Sequence, residues 1–265
     1  VYTVHDIFMQ KYPEYFYSSD EIFQNRFGME EFNLMLQDLE TVKEYVPDEK
    51  AYAPAITQYI WAMSHYLAEK SRHIIASTES SKEEIVKYLA VPASKVTVIL
   101  AAADDSFFYP RSNEVAMPVV QKYGLTENYC MGVGLDLKHK RLPWLLETIA
   151  QYSEHFPADA RVAIVGNYDK LEQWQQLVKD LGLEHLVIFT GRVSDEELAA
   201  LYSKARALLL PSLDEGFGMP TLEALLCRTE VIVPDTPVLR EVAGPSGHYY
   251  GVHDKNQLGD LITQT

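Results

Sequence analysis

In the second half of the chain, short apolar runs alternate regularly with amphipathic stretches. The apolar runs include "YCMGVGL", "RVAIVG", "LVIFTG", "ALLLPS" and "EVIVP", and the stretches between them include "LPWLLETIAQYS", "KLEQWQQLVKDLG" and "SDEELAALYSKA". Continuous apolar strands separated by amphipathic helices are typical of a parallel sheet that helices cover on both faces. The pattern therefore predicts a doubly wound α/β domain, and ligands of such domains bind at the carboxyl ends of the strands.

The first half has a less regular pattern. "VYTVHDIF" reads as a strand and residues 19–70 as mainly helical. "HIIAST" and "KVTVIL" read as strands on either side of a helix, "ESSKEEIVKYLAV", whose serines are predicted caps. Residues 108–124 combine weak periodicity with two prolines, which predicts an interdomain linker. We therefore expect two domains, residues 1–118 and residues 119–265.

Composition narrows the range of partners. The 265 residues carry a formal net charge of −15, and such an acidic surface disfavours nucleic acid and anionic lipid. Cys130 and Cys227 lie in apolar sequence, which favours buried thiols over a disulfide or a metal site. The sequence contains neither an Asp-x-Asp motif nor a His/Cys cluster, so it gives no reason to expect a metal site. No apolar run approaches the ~18 residues of a membrane-spanning helix, so we expect a cytoplasmic protein.

The segment "LDEGFGMPTLEALLC" carries the candidate chemistry. It follows the buried strand "ALLLPS", and it places Glu215 before a glycine-rich turn and Glu223 about one turn into the next helix, with Pro220 at a first-turn position. The helix start would bind phosphate and the two carboxylates would bind hydroxyls from the same cleft, which fits a nucleotide sugar. A capped helix with two solvated acids accounts for the same spacing.

A family resemblance favours the nucleotide sugar. "PSLDEGFGMPTLEALLC" resembles the E-x7-E signature of retaining glycosyltransferases of family 4, and "LVIFTGRVSDEELAALYSKARALLLPS" and "VIVPDTPVLREVAG" resemble its flanking segments, over nearly all of residues 126–258. "VYTVHDIFMQKYPEYF" and "HIIASTESSKEEIVKYLAVPASKVTVIL" resemble parts of the family's first domain more loosely. The resemblance implies the α/β GT-B fold of two Rossmann-like doubly wound domains. Residues 1–118 would form the C-terminal part of the first, acceptor-binding domain, which is incomplete here. Residues 119–265 would form the donor-binding domain.

The resemblance also implies roles for individual residues. Glu215 would contact donor-sugar hydroxyls and Glu223 the ribose. The backbone of Phe217, Gly218 and Met219 would meet the sugar and the phosphates, and Arg192 and Val193 would lie beside the base. His5 matches a family histidine that reaches the donor sugar from the other domain, although a strand-end histidine with a structural hydrogen bond fits the same position.

The diphosphate clamp departs from the family pattern. The family has a glycine followed by an arginine, and then a lysine five positions after the arginine. Here Gly134 precedes Leu135, which carries no charge, while Lys140 stands at the lysine position. Lys138 and Arg141 complete a basic cluster that could bind a diphosphate. A solvated helix start is the alternative for Lys138.

The resemblance implies a retaining transferase of the kind used in polysaccharide biosynthesis. It would move mannose or a related hexose from a nucleotide diphosphate sugar, GDP-mannose being favoured and UDP-sugars left open, to a hydroxyl of a saccharide or lipid-linked acceptor. No further cofactor is expected, and the site would work in the cytoplasm or on the inner face of the membrane. Leu135 favours one alternative, a relative that binds the nucleotide sugar without turnover. A dinucleotide oxidoreductase is disfavoured because "GVGLDL" departs from G-x-G-x-x-G at Leu137.

Overall fold

The computed structural model describes residues 2–4, 20, 24 and 28–265 of the chain. Its contacts divide the chain into two compact units, Val1–Ala101 and Ala102–Thr265. The division falls before the boundary at 118/119 that the sequence suggested, because the segment around residue 118 packs with the second unit.

The first unit contains a small parallel sheet. Its described strands are β1 (Tyr2–Val4), β2 (Ile74–Ala76) and β3 (Val96–Val98), which pair in that order. The described helices are α1 (Met29–Val42), α2 (Ala55–Lys70) and α3 (Glu79–Leu89). Helix α3 packs on the sheet through an apolar cluster that includes Ile74, Ile85 and Val96, while α1 packs against α2. The apolar residues of each helix recur with the helical period and so form one apolar face. Burial of these faces stabilises the unit.

Side-chain oxygens cap two of the helices described in the first unit. The predicted serine cap of α3 is wrong, because Thr78 occupies the N-cap and its hydroxyl accepts from the Ser81 N–H at 2.9 Å. The carboxylate of Asp20 accepts from the N–H groups of Ala55 and Ile56 at 3.1 and 3.0 Å, at the start of α2. Each cap satisfies first-turn donors that have no partner inside the helix.

The second unit is a doubly wound α/β domain, as the alternating pattern predicted. Its strands are β4 (Tyr129–Val133), β5 (Arg161–Val165), β6 (Val187–Gly191), β7 (Ala207–Leu209), β8 (Glu230–Pro234) and β9 (Gly247–Tyr250). The helices are α4 (Asn113–Lys122), α5 (Leu142–Tyr152), α6 (Leu171–Asp180), α7 (Asp195–Lys204), α8 (Met219–Leu226), α9 (Pro237–Ala243) and α10 (Lys255–Gln264). All six strands are parallel and lie in the order β6-β5-β4-β7-β8-β9.

This strand order creates a switch point between β4 and β7. From β4 the chain moves outward through β5 to β6, and from β7 it moves outward the other way through β8 to β9. The sheet separates two apolar clusters, one with Leu145 and Ile164 and one with Tyr202 and Leu208. The loops that leave β4 and β7 at their carboxyl ends diverge here, and such a crevice is where ligands of open α/β sheets bind.

The predicted linker at 108–124 is wrong, because it contains helix α4. Ala116 and Val120 are fully buried, and α4 packs on α7, where Glu197 pairs with Lys122 and accepts from the Tyr123 hydroxyl at 2.9 Å. Pro118 lies inside the helix, where it removes one backbone hydrogen bond and interrupts the sequence signal. Packing on α7 makes this segment part of the second unit.

Both cysteines are buried and unpaired, as expected from their apolar sequence. Burial raises the pKa of Cys130 and of Cys227 to about 11, so both remain thiols at neutral pH. Within the described ranges, no helix has the length and apolar character that crossing a membrane requires.

Candidate functional site

The turn between β7 and α8 is built around a glycine. Gly218 has a φ of 88°, and a Cβ there would lie 2.8 Å from a terminal methyl group of Leu239. Positive φ and this close contact both favour glycine. Pro220 occupies the first turn of α8 as predicted, and no side chain of the described residues caps the helix. Pro220 has no N–H and the Thr221 N–H donates to the Gly218 carbonyl at 2.9 Å, so the N-terminus of α8 offers an anion the Met219 N–H and a positive dipole end.

Glu215 and Lys140 form a close ion pair at the switch point. Lys140 Nζ lies 2.6 Å from Glu215 Oε1 and 2.8 Å from Oε2, and the two side chains are only 14% and 8% exposed. Lys140 comes from the loop after β4 and Glu215 from the loop after β7. The strand order thus brings together two predicted site residues that lie far apart in sequence, and it leaves a cation and a carboxylate side by side in a poorly solvated place.

Glu223 has a different partner. Its Oε2 accepts a hydrogen bond from the hydroxyl of Tyr202 on α7 at 3.1 Å, and Tyr202 is fully buried. Burial raises the pKa of the Glu223 carboxyl; the charge of Asp195 raises it further, and the Tyr202 hydrogen bond opposes this shift. Burial, with the neighbouring carboxylate, also raises the pKa of Tyr202 well above its usual value. The phenol therefore remains a donor, and Glu223 has a neutral partner where Glu215 has a charged one.

Leu135 belongs to the core and not to a diphosphate clamp. Its side chain is 1% exposed, and its terminal methyl group lies 2.7 Å from the place that a Cβ of Gly132 would take. Gly134, just before it, has a φ of 64° and donates its N–H to the Val165 carbonyl at 2.9 Å. A Cβ at Gly134 would meet nothing within 4 Å, so the backbone there is open to a ligand.

The predicted basic cluster divides into three residues with three different surroundings. Lys138 is exposed and Lys140 is paired with Glu215. Arg141 contacts neighbouring loops, and its place among the diphosphate ligands stays a prediction. Its guanidinium donates to the carbonyls of Pro211 and Val252, each at 2.7 Å, and stacks over the Trp144 ring. Arg141 therefore ties the β4 loop to the loops that follow β7 and β9.

The remaining predicted residues lie on loops at the same edge of the sheet. Arg192 and Val193 follow β6, and Arg192 is exposed. A capping box between Ser194 and Glu197 then starts α7. Helix α7 packs against α8, and the charge of Asp195 at the start of α7 contributes to the raised pKa of the Glu223 carboxyl. His5 lies outside the described residues, so its role stays a prediction.

Phe217 and Met219, the other predicted contacts of the turn, lie on either side of Gly218. Phe217 is half-buried and Met219 is the first residue of α8.

Two further residues of the site were not predicted from the sequence. Tyr202 lies in the stretch "LAALYSKA", where one tyrosine among apolar residues reads as core. His139 is buried between two basic residues of the chain, and burial lowers its pKa to about 4, so it is neutral at pH 7.

The second unit is therefore an α/β domain with an uncapped helix start and two carboxylates near its switch point. Residues 120–264 match the family described as glycosyl transferases group 1, and the chain belongs to this family. It is 32% identical to the O-antigen chain mannosyltransferase RfbU of Salmonella typhimurium, over 73% of this chain and 51% of that protein. It is 30% identical to the O-antigen chain mannosyltransferase B of Escherichia coli, over 85% of this chain and 58% of that protein.

The fold agrees with the family. The structure is similar to the crystal structure of Anabaena HepE in complex with UDP-glucose, with a TM-score of 0.68, 21% identity, and coverage of 83% of this chain and 60% of that one. The structural neighbours are GT-B glycosyltransferases, which confirms the predicted fold class. The chain spans about half the length of the curated relatives it matches.

Proposed function

We propose that this chain supplies the donor site of a retaining glycosyltransferase of family 4. The substrate would be a nucleoside diphosphate hexose, with GDP-mannose favoured, and the acceptor a hydroxyl of a saccharide or lipid-linked saccharide on the cytoplasmic side. The observation that carries the proposal is the Lys140–Glu215 pair, with distances of 2.6 and 2.8 Å, beside the uncapped start of α8. A sugar diphosphate has the matching order of groups, hydroxyls next to an anion.

The diphosphate would lie between the lysines and the start of α8. Lys140 and Lys138 would supply positive charge, and the backbone from Phe217 to Met219 would supply N–H donors. Negative charge grows on the diphosphate as the bond to the sugar breaks. Groups already aimed at that charge stabilise it without reorganising, and such electrostatic stabilisation commonly contributes more to the rate than any other single effect.

The two carboxylates would bind different parts of the donor. Glu215 would accept from sugar hydroxyls and position the ring, and Glu223 would accept from the ribose hydroxyls. Arg192 and Val193, after β6, would present their backbone to the base. The packing of α8 on α7 supports this arrangement, because α7 begins shortly after Arg192 and Val193.

Mannose is favoured by the relatives, whose names describe O-antigen mannosyltransferases. A nucleotide sugar as ligand is supported by HepE, whose structure contains UDP-glucose. In the proposed reaction the acceptor hydroxyl attacks on the face that the diphosphate leaves, and a phosphate oxygen takes the proton. The configuration is then retained and Glu215 need not form a covalent bond. We also propose His5 as a contact of the donor sugar.

One observation favours a second candidate, a relative that binds the donor without turnover. Leu135 is packed in the core where the family has an arginine, so the diphosphate would rely on Lys138, Lys140 and the start of α8. Release of GDP from GDP-mannose in the presence of acceptor would decide between the two: steady release supports the transferase, and saturable donor binding without release supports the second candidate.

The first experiment is calorimetric titration of the chain with GDP, UDP, ADP and dTDP. We expect one nucleotide to bind selectively and Glu223→Ala to weaken this binding by more than about tenfold. Glu184→Ala, which removes an exposed glutamate between α6 and β6, is the matched control and should leave the affinity unchanged. Absence of binding by all four nucleotides would contradict the proposal.

A further inference from the structure

The side chain of Tyr202 is held by burial, by an aromatic contact and by one hydrogen bond. Its ring is fully buried and meets the ring of Phe108 edge-on, with centroids 6.3 Å apart. Its own carbonyl accepts from the hydroxyl of Thr229 at 2.5 Å, which ties α7 to the segment that follows α8. The single polar atom of this side chain, the phenolic oxygen, donates to Glu223 Oε2 at 3.1 Å. A buried tyrosine hydroxyl requires a partner, and the partner here is a carboxylate of the candidate site.

Only one oxygen of Glu223 is engaged in this way. Among the residues that the structure describes, Oε2 accepts from Tyr202 and no donor reaches Oε1. Glu223 is partly exposed, on the second turn of α8. Building on the proposed function, we infer that Tyr202 is a positioning residue: it holds Oε2 of Glu223 so that Oε1 faces the ribose hydroxyls of the nucleotide.

A phenol suits this role better than a cation does. A glutamate side chain has several rotamers, and holding it in one of them before the ligand arrives lowers the entropy that binding costs. A hydrogen bond from a neutral donor orients a carboxylate and leaves its negative charge in place to accept from the ligand. Lys140 neutralises Glu215, whereas Tyr202 orients Glu223 without neutralising it.

The test compares two buried tyrosines. Tyr202→Phe removes the hydroxyl that holds Glu223. Tyr129→Phe is the matched control, because Tyr129 is also buried in the same apolar cluster and its hydroxyl donates to the Leu201 carbonyl, one residue before Tyr202. We expect Tyr202→Phe to weaken GDP binding about tenfold and Tyr129→Phe to change it less than about twofold.

The decisive readout is discrimination between GDP and 2′,3′-dideoxy-GDP, measured as the ratio of their dissociation constants on each protein. Because both ligands meet the same sample, any unfolded fraction affects both and cancels in the ratio. Wild type and Tyr129→Phe should prefer GDP, and Tyr202→Phe should lose most of that preference. In the Glu223→Ala background, Tyr202→Phe should have no further effect on the ratio.

An unchanged ratio in Tyr202→Phe would overturn the inference, and so would a further loss in the Glu223→Ala background. Either result would leave the proposed function intact, since wild type would still bind GDP. If wild type binds UDP instead, the same series uses UDP and 2′,3′-dideoxy-UDP. If wild type binds no nucleoside diphosphate, the proposed function itself fails and the inference falls with it.

Discussion

Glu215 and Glu223 belong to one short segment, yet they occupy opposite electrostatic surroundings. Glu215 lies in the turn and meets the ammonium group of Lys140 with both oxygens. Glu223 lies in the helix and meets the neutral hydroxyl of Tyr202 with one oxygen, while burial and Asp195 raise the pKa of its carboxyl. The first carboxylate is compensated by an opposite charge, and the second is only hydrogen-bonded.

Two glutamates of one motif can therefore contribute differently to stability. Removing the charge of Glu215 leaves a cation uncompensated in a poorly solvated place, which is costly. Removing the charge of Glu223 relieves a burial penalty. The same substitution at the two positions should therefore change stability in opposite directions. Two substitutions, at Glu215 and Glu223, test this comparison directly, and a third, at Leu135, tests the loop that presents Lys140; they are given in order of decreasing expected effect.

The largest change in stability is expected at Leu135, the residue of the loop after β4 that packs in the core. Leu135→Ala should lower the free energy of unfolding by about 3 kcal/mol, because a fully buried leucine leaves a cavity. It should leave GDP affinity unchanged, since Lys140 is the residue of this loop that meets Glu215. Urea unfolding and calorimetry measure the two quantities. Leu137→Ala, at a position 44% exposed, is the control and should change stability by less than about 0.5 kcal/mol. A drop in affinity without loss of stability would show that Leu135 belongs to the clamp.

The second effect is loss of the ion pair. Glu215→Gln should destabilise the protein by about 2 kcal/mol, because Lys140 is 14% exposed and keeps its charge without a counter-charge. Lys140→Met combined with Glu215→Gln should recover part of that loss. The free energies of unfolding in urea of both single variants and the double variant form a double-mutant cycle. Strictly additive effects of the two substitutions would contradict the Lys140–Glu215 ion pair.

The smallest effect has the opposite sign. The pKa of the Glu223 carboxyl is higher in the folded state than in the unfolded state, where it is ~4.3. As the pH rises from the unfolded pKa through the folded pKa, ionisation therefore favours the unfolded state and lowers stability. Glu223→Gln keeps an acceptor for Tyr202 and removes this cost, so at pH 7 it should stabilise the protein by on the order of 0.5 kcal/mol. The gain should vanish as the pH falls to about 4. Unfolding midpoints across this range test it, and destabilisation at pH 7 would contradict the comparison.

Much of the second unit could be predicted because the relevant signals are local. The apolar and amphipathic periods gave its alternation of strands and helices, and the glycines and Pro220 marked the turn into α8. The linker prediction at 108–124 failed because Pro118 weakened the helical period, while packing on α7 outweighed the lost hydrogen bond. Leu135 and Arg141 could not be assigned from sequence, because a leucine or an arginine in a loop at a strand end can turn toward a ligand or toward the core.

The amino-acid sequence by itself determined the doubly wound domain, the family, and the placing of Glu215 and Glu223 around a turn at a strand end, since periodicity and turn chemistry act between near neighbours. Only the tertiary structure decided which partner each carboxylate has. Lys140 reaches Glu215 across 75 positions of sequence because β4 and β7 pair side by side, and Tyr202 reaches Glu223 because α7 packs against α8. Strand order and helix packing are collective results of burying the whole apolar surface, so no short segment of the chain contains them.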